Sequence, residues 1–163
     1  MSQGKVWKYG DSVNTDVIFP GRYTYQIMTP EEMAKHAMED LDPGFAAKVK
    51  PGDVVVAGKN FGCGSSREQA AACLKAAGVQ AVVAKSFARI YFRNAINLGL
   101  AVLQCAEAVD ALETGDSADI DFARGEISSA RGLFHFSPLP ESVLGIIAAG
   151  GLIEYTKKKL EKE

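Results

Sequence analysis

Short unbroken apolar runs punctuate this chain, each bounded by glycine, proline or polar residues. Val54, Val55, Val56 and Ala57 form one run, residues 81–84 a second and 101–103 a third. Runs this short, apolar at both alternating positions, predict strands buried on both faces. Between them the spacing becomes helical. Ala70, Ala71, Ala72, Leu74, Ala76 and Ala77 predict a helix ended by Gly78, and Ser86 stands as cap to a helix over 87–98 closed by Gly99. Strand, helix, strand, helix, strand is the order of parallel β-α-β units. Farther on, 118–122, 126–129 and 133–136 are separated by Arg-Gly turns and read as an antiparallel meander, and helices over 143–149 and 152–159 flank Gly150-Gly151.

Upstream, residues 5–9 predict a short strand, Gly10-Asp11-Ser12 a turn, and Asn14-Thr15-Asp16 a polar approach to Val17-Ile18-Phe19 before Pro20-Gly21 breaks the chain. Thr29-Pro30-Glu31-Glu32 combines a threonine cap, proline at the first helical position and glutamate completing a capping box, so a helix to about Met38 is expected. Residues 41–50 read as irregular or briefly helical. Lys50-Pro51-Gly52-Asp53 turns the chain into the valine strand. No repeat is visible. An α/β fold is expected over residues 1–163 as one domain, with its core at about 4–155 and a solvated, frayed tail at 157–163.

Composition narrows the function. The 163 residues are 47% hydrophobic with a net charge of −2, enough for one good core and without the basic face that nucleic acid or an anionic membrane calls for. No apolar run approaches the roughly 20 residues of a membrane span, and residues 1–10 lack a signal peptide's apolar core. A cytoplasmic protein acting on small molecules is expected. Cys63, Cys73 and Cys105 are odd in number and far apart, fitting neither a disulfide framework nor a metal site of CxxC type. Cys73 and Cys105 read as small core residues, the latter ending a strand. Cys63 is either reactive or simply a small side chain that its turn requires.

That turn is the most informative stretch. Gly58-Lys59-Asn60-Phe61-Gly62-Cys63-Gly64-Ser65-Ser66-Arg67-Glu68 places glycines, hydroxyls and an arginine between a strand and a helix expected to begin near Ser65. Glycine lets the backbone approach a ligand, and a helix N-terminus directs N–H groups and positive dipole toward an anion. Ser65 to Glu68 and Ser66 to Gln69 also match capping boxes, a purely structural alternative. Neither the phosphate loop ending in Gly-Lys-Ser/Thr nor the three-glycine dinucleotide fingerprint is present. A carboxylate site with Arg67 as a bidentate clamp fits the residue types better.

Residues 60–68 of this loop, with Gly10-Asp11-Ser12-Val13-Asn14-Thr15-Asp16, Pro20-Gly21-Arg22-Tyr23 and Lys85-Ser86-Phe87-Ala88-Arg89-Ile90, resemble the 3-isopropylmalate dehydratase small-subunit family. This family corresponds to the mobile last domain of the aconitase superfamily. The likeness runs from about Gly4 to Tyr155. It implies a swivelling β/β/α three-layer domain that closes over a large subunit carrying a [4Fe–4S] cluster, with no cofactor bound by this chain and no metal ligand within it. The reaction implied is dehydration and rehydration of a malate-like acid, in leucine biosynthesis for the family named. There the substrate's hydroxyl and a carboxylate bind iron while a serine alkoxide removes the adjacent proton. Residue by residue, Ser65 matches the base, Arg67 the arginine that binds substrate carboxylate, Ser66 the neighbouring hydroxyl, and Asp16 with Thr15 an acidic residue lining the site.

Arg22 either meets substrate, anchors a loop or is solvated. It precedes Tyr23, Thr24, Tyr25 and Gln26, which match a loop facing the substrate's variable side chain. Those four residues depart from the Tyr-Leu and Tyr-Leu-Arg patterns of leucine-pathway enzymes and homoaconitases, as Gln69 departs from a histidine. The acid is therefore 3-isopropylmalate, homoaconitate or a methylated malate such as 2,3-dimethylmalate. A non-catalytic anion-binding regulatory module is the alternative of another class. Arg89 and Arg93 share a helix face open to a partner's carboxylates or to water. His36 and His135 read as structural, and Trp7, Phe87, Tyr91 and Phe92 as core or subunit-interface anchors. The isolated chain has the option of self-association.

Overall fold

The computed structural model describes residues 3–162. Strands β1 (Gln3–Lys8), β2 (Val54–Ala57), β3 (Ala81–Ala84) and β4 (Ala101–Gln104) are parallel, with Val54 opposite Ala81 and Ala81 opposite Ala101. From the other edge of β1 continue the antiparallel strands β5 (Ser117–Asp121), β6 (Glu126–Ser129) and β7 (Gly132–His135). The sheet order is β4-β3-β2-β1-β5-β6-β7. Both halves are as the apolar pattern predicts.

Side-chain alternation sorts the strand residues onto two faces. Val55, Ala57, Val82, Ala84 and Val102 meet helices α4 (Gln69–Ala76) and α5 (Arg89–Leu98) through Leu74, Tyr91 and Ala95. On the opposite face Val54, Val56, Val83 and Leu103 share a core with Ile120, Ile127 and Phe136 of the meander, and with Ala108 and Val109 of helix α6 (Ala106–Ala111). One flat sheet cannot make both contacts, so the antiparallel half curls over the parallel half. The curl nearly brings the outer strands together: the Cys105 thiol, just past β4, points at the His135 carbonyl of β7 at 3.4 Å. The arrangement is the expected β/β/α layering.

Asp53 fastens the first two strands at their entry. It is buried, and its carboxylate accepts from the backbone N–H of Lys5 (3.0 Å) and Lys50 (3.0 Å) and from the indole N–H of Trp7 (2.9 Å). Trp7 in turn meets the ring of Phe45 edge-on at 5.0 Å.

Several helix boundaries differ from expectation, each for a visible reason. Helix α2 (Pro30–Ala34) has the predicted capping box, Thr29 and Glu32 each accepting from the other's backbone N–H at 3.2 Å. It ends short of Met38. There the backbone turns left-handed (φ +59°), burying the side chain and sending the N–H to the Ile18 carbonyl at 2.8 Å. Asn14 caps a one-turn helix α1 (Thr15–Ile18), and α3 (Phe45–Lys48) fills the briefly helical segment. Helix α6 was not anticipated, being too short to show a period, and Cys105 is its cap residue beyond β4. Helices α7 (Glu141–Ala149) and α8 (Leu152–Glu161) complete the described chain. Residues 157–161, expected to be frayed, are the last turns of α8 with exposed side chains; Glu163 lies outside the described residues.

Asp53→Ala leaves three donors, among them the half-buried Trp7 indole, without their acceptor, and should cost on the order of 3 kcal/mol in denaturant unfolding. High pH should also unfold the chain. Burial, then the hydrogen bond to Asp42 (2.8 Å), raises the Tyr9 phenol far above its ordinary range, and burial does the same for Tyr91. The unfolded chain releases both protons near pH ~10 while the native chain retains them. This contribution is therefore full below that pH and is lost above it. Stability measured against pH should fall above pH ~10, and Tyr91→Phe should make the fall shallower.

Candidate active site

Parallel strands end side by side, so the segments leaving β1, β2 and β3 emerge together. Here they continue as backbone neighbours. Gly62 N–H donates to Val13 O (2.8 Å), Thr15 N–H to Cys63 O (2.9 Å), Phe61 N–H to Ser86 O (3.0 Å) and Ala88 N–H to Phe61 O (2.9 Å). The glycine loop is thus the middle of three laced segments, bridged at Asn14–Cys63 and at Phe61–Phe87. Ligand sites in α/β sheets characteristically lie beyond these strand ends.

Two glycines make the loop's path possible. At Gly62 (φ +83°) a Cβ would come within 2.2 Å of the Tyr91 ring, and Gly64 adopts φ +94°, which side chains disfavour. Tyr91 is buried beneath the loop and donates its hydroxyl to Ala70 O at 3.1 Å.

Above this floor opens a cavity of about 300 Å³ lined by Thr15, Gly64, Ser65, Ser66 and Arg67 on one side and Arg89, Ile90 and Asn94 on the other. Thr15, only 2% exposed, donates its hydroxyl to the Ser65 carbonyl at 2.8 Å. Arg67 is largely buried and forms an ion pair with Asp16. Gly21 packs against that pair so closely that a Cβ would lie 2.9 Å from Arg67 Nη1. Ser65 and Ser66 are exposed, and their hydroxyls bond to no described residue. The backbone N–H groups from Gly64 through Gln69 likewise donate to none. Arg67 and this run of donors together make a strongly anion-seeking rim.

The helix expected from Ser65 begins only at Gln69, and no side chain caps it. Neither serine capping box forms. Residues 65–67 are held instead by the Thr15 bond to the Ser65 carbonyl and the Arg67–Asp16 pair, and the chain turns helical only at Glu68, the residue before α4. Ser86 is not a cap either. Its hydroxyl accepts from Asn60 N–H at 2.8 Å, and α5 starts at Arg89 behind Ala88.

The other named residues lie beside the cavity or away from it. Arg22 is outside its lining, bound to Glu39 (2.7 Å) and Asp40 (3.1 Å) and lying over the Tyr23 ring. Tyr23 stacks on His36 at 4.0 Å. Thr24 accepts from the Gln69 side chain at 3.2 Å, while Tyr25 is 96% exposed and Gln26 is exposed. His135 is on β7 beside Glu126. Phe87 and Phe92 pack edge-on, as do Phe61 and Tyr91. Asn94 escaped the sequence reading; its one signal was its place a helical turn after Ile90 of the quoted block.

A family model described as the aconitase C-terminal domain matches residues 15–108, which include the glycine loop, the segment after β3 and both helices behind them. The chain belongs to that family. Its relatives include the 3-isopropylmalate dehydratase small subunit of Thermodesulfovibrio yellowstonii, 50% identical over 163 residues that cover 99% of this chain and 96% of that protein. The 3-isopropylmalate dehydratase small subunit 1 of Archaeoglobus fulgidus is 52% identical over 161 residues, covering 98% and 99%. A crystal structure of 3-isopropylmalate dehydratase from Methanocaldococcus jannaschii matches with a TM-score of 0.90 at 45% identity, over 96% of this chain and 93% of that one. The resemblance carried by the glycine loop and its companion blocks therefore holds along nearly the whole chain, and the β/β/α architecture is shared. Among the described residues, no helix is long and apolar enough to cross a membrane.

The thiols differ in surroundings. Cys73 and Cys105 are buried, and burial raises both thiols above their ordinary range; Cys63 is half-buried in the loop. Alkylation at pH ~8, followed by peptide mapping, should label Cys63 in the native chain and the other two only after unfolding.

Proposed function

We propose that this chain is the small subunit of a 3-isopropylmalate dehydratase, a hydro-lyase subunit that works with a large subunit to interconvert 2- and 3-isopropylmalate in leucine biosynthesis. The observation that carries the reading is a free serine hydroxyl, Ser65, beside Arg67 and a run of unbonded backbone N–H groups at one cavity mouth. Relatives bearing that name align over nearly their full length. A module that only bound anions could use the same hydroxyl as a donor but would need no base, and the relatives that align along the whole chain are named as dehydratase subunits.

In this reading a substrate carboxylate lies against Arg67, whose orientation Asp16 fixes in advance. Ser65, as alkoxide, takes the proton from the carbon next to the one bearing hydroxyl. The adjacent C–O bond breaks, and the hydroxide leaves as water by taking a proton from an acid on the large-subunit side. In the reverse sense water adds to the neighbouring carbon, giving that proton back, while Ser65 returns its own proton to the carbon that lost the hydroxyl, which completes isomerisation. Serine is a weak base at its ordinary acidity, so its surroundings must stabilise the anion. The N–H groups of 64–69 and the Arg67 charge supply that, at roughly 3 kcal/mol per well-placed donor. Thr15 holds the Ser65 carbonyl and so the direction of its side chain. Ser66 supplies a second hydroxyl at the rim, and Tyr23, Thr24, Tyr25 and Gln26 face the acid's variable side chain.

The family resemblance implies a [4Fe–4S] cluster, and this chain's thiols do not fit one. Cys73 and Cys105 lie on opposite faces of the parallel strands, in separate cores. The cluster is assigned to the large subunit, together with departure of the hydroxyl.

Reconstitution with the large subunit tests the assignment. The isolated chain should be inactive. Ser65→Ala should lower kcat by at least ~100-fold with KM within a few fold, and should leave Tm nearly unchanged because Ser65 caps nothing. Arg67→Lys should lower kcat/KM by roughly 10–100-fold with a raised KM, since a point charge cannot reproduce a two-pronged contact. A folded Ser65→Ala enzyme with near-normal kcat would remove Ser65 from the mechanism.

A further inference from the structure

The exposed loop beside the cavity is held in an economical way. Its base is Tyr23, stacked on His36, and its far end is Met28, packed against the core before the Thr29 cap. Between them Tyr25 and Ile27 stand almost wholly in solvent. Backbone bonds from Tyr23, Thr24 and Gln26 reach only Pro20, Gly21 and Tyr23. Among the described residues, a single hydrogen bond joins residues 23–28 to chain beyond the loop's own neighbourhood: Gln69 Nε2 donates to the Thr24 carbonyl at 3.2 Å. The Thr24 hydroxyl is buried without a partner and adds no second tie.

Gln69 is the first residue of α4, two places after Arg67. The same short segment therefore grips the 16–24 region twice, Arg67 on Asp16 and Gln69 on Thr24. We infer that Gln69 is a specificity-positioning residue: its amide sets where the Tyr23–Gln26 loop stands relative to Arg67, and through that which acid side chain fits. This rests on the proposed role of that loop in sorting substrates. Gln69 touches no reacting atom. Its effect passes through the position of Thr24 and the exposed residues that follow.

Gln69→Leu keeps the approximate size and removes the donor; Gln69→His restores a ring N–H. In the isolated chain, amide exchange over 24–28 should rise by roughly tenfold in Gln69→Leu, with Tm unchanged within about 2 °C and exchange elsewhere unaltered. In the reconstituted enzyme, the ratio of kcat/KM for 3-isopropylmalate to that for a malate bearing methyl in place of isopropyl should narrow by about fivefold or more, and Gln69→His should recover part of it. A double variant, Tyr25→Ala with Gln26→Ala, tests the loop itself. If the double variant moves the ratio and Gln69→Leu does not, Gln69 has no positioning role and the loop assignment stands. If neither moves it, the loop does not sort substrates and the inference falls with it. Unchanged exchange over 24–28 in Gln69→Leu would also overturn it.

Discussion

The site depends on a lattice of backbone hydrogen bonds that extends past the ends of the parallel strands. Sheet pairing formally stops at Lys8, Ala57 and Ala84, yet the next residues of all three segments stay bonded to one another. Buried N–H and C=O groups must find partners, and here they find them across loops rather than within one. The consequence is that a glycine-rich turn, ordinarily a flexible element, is fixed on both sides. The donors from Gly64 to Gln69 are those the lattice leaves over, and the first four of these residues line the cavity.

Much of the fold was legible because it rests on local rules. The valine and alanine runs at 54–57 and 81–84 are strands at those residues, since a run apolar on both faces has few other stable environments. The Thr29 to Glu32 capping box formed because its two bonds need only four consecutive residues. Local signals yield where a long-range bond competes. Ser86 has a good capping side chain, but the N–H of Asn60, distant in sequence, claims it. The serines at 65 and 66 match capping boxes that never form, because Thr15 and Asp16 hold residues 65–67 in another path. Met38 leaves its helix for a carbonyl on Ile18. In each case a partner far along the chain outweighed a near one.

The same distinction applies to the site. Motif blocks point to Ser65, Ser66, Arg67, Thr15 and Asp16; the first four line one cavity, and Asp16 stands outside that lining, joined to it by its ion pair with Arg67. Arg22 was named with them, but the carboxylates of Glu39 and Asp40 engage it outside that lining. No local pattern announces those partners. Asn94 reaches the cavity only because α5 runs across its far side, a matter of helix placement rather than motif.

The curl of the sheet has a consequence for how the molecule meets other chains. A curled but unclosed sheet retains two outer strands whose unpaired backbone groups are an invitation to strand addition. In this protein both are only four residues long, Ala101–Gln104 and Gly132–His135, and the fold turns them toward each other at the Cys105–His135 contact. So short a pair of margins offers an incoming strand little to add to. Association is thereby steered to the side-chain surfaces of loops and helices, where recognition depends on shape and charge rather than on a bare peptide edge.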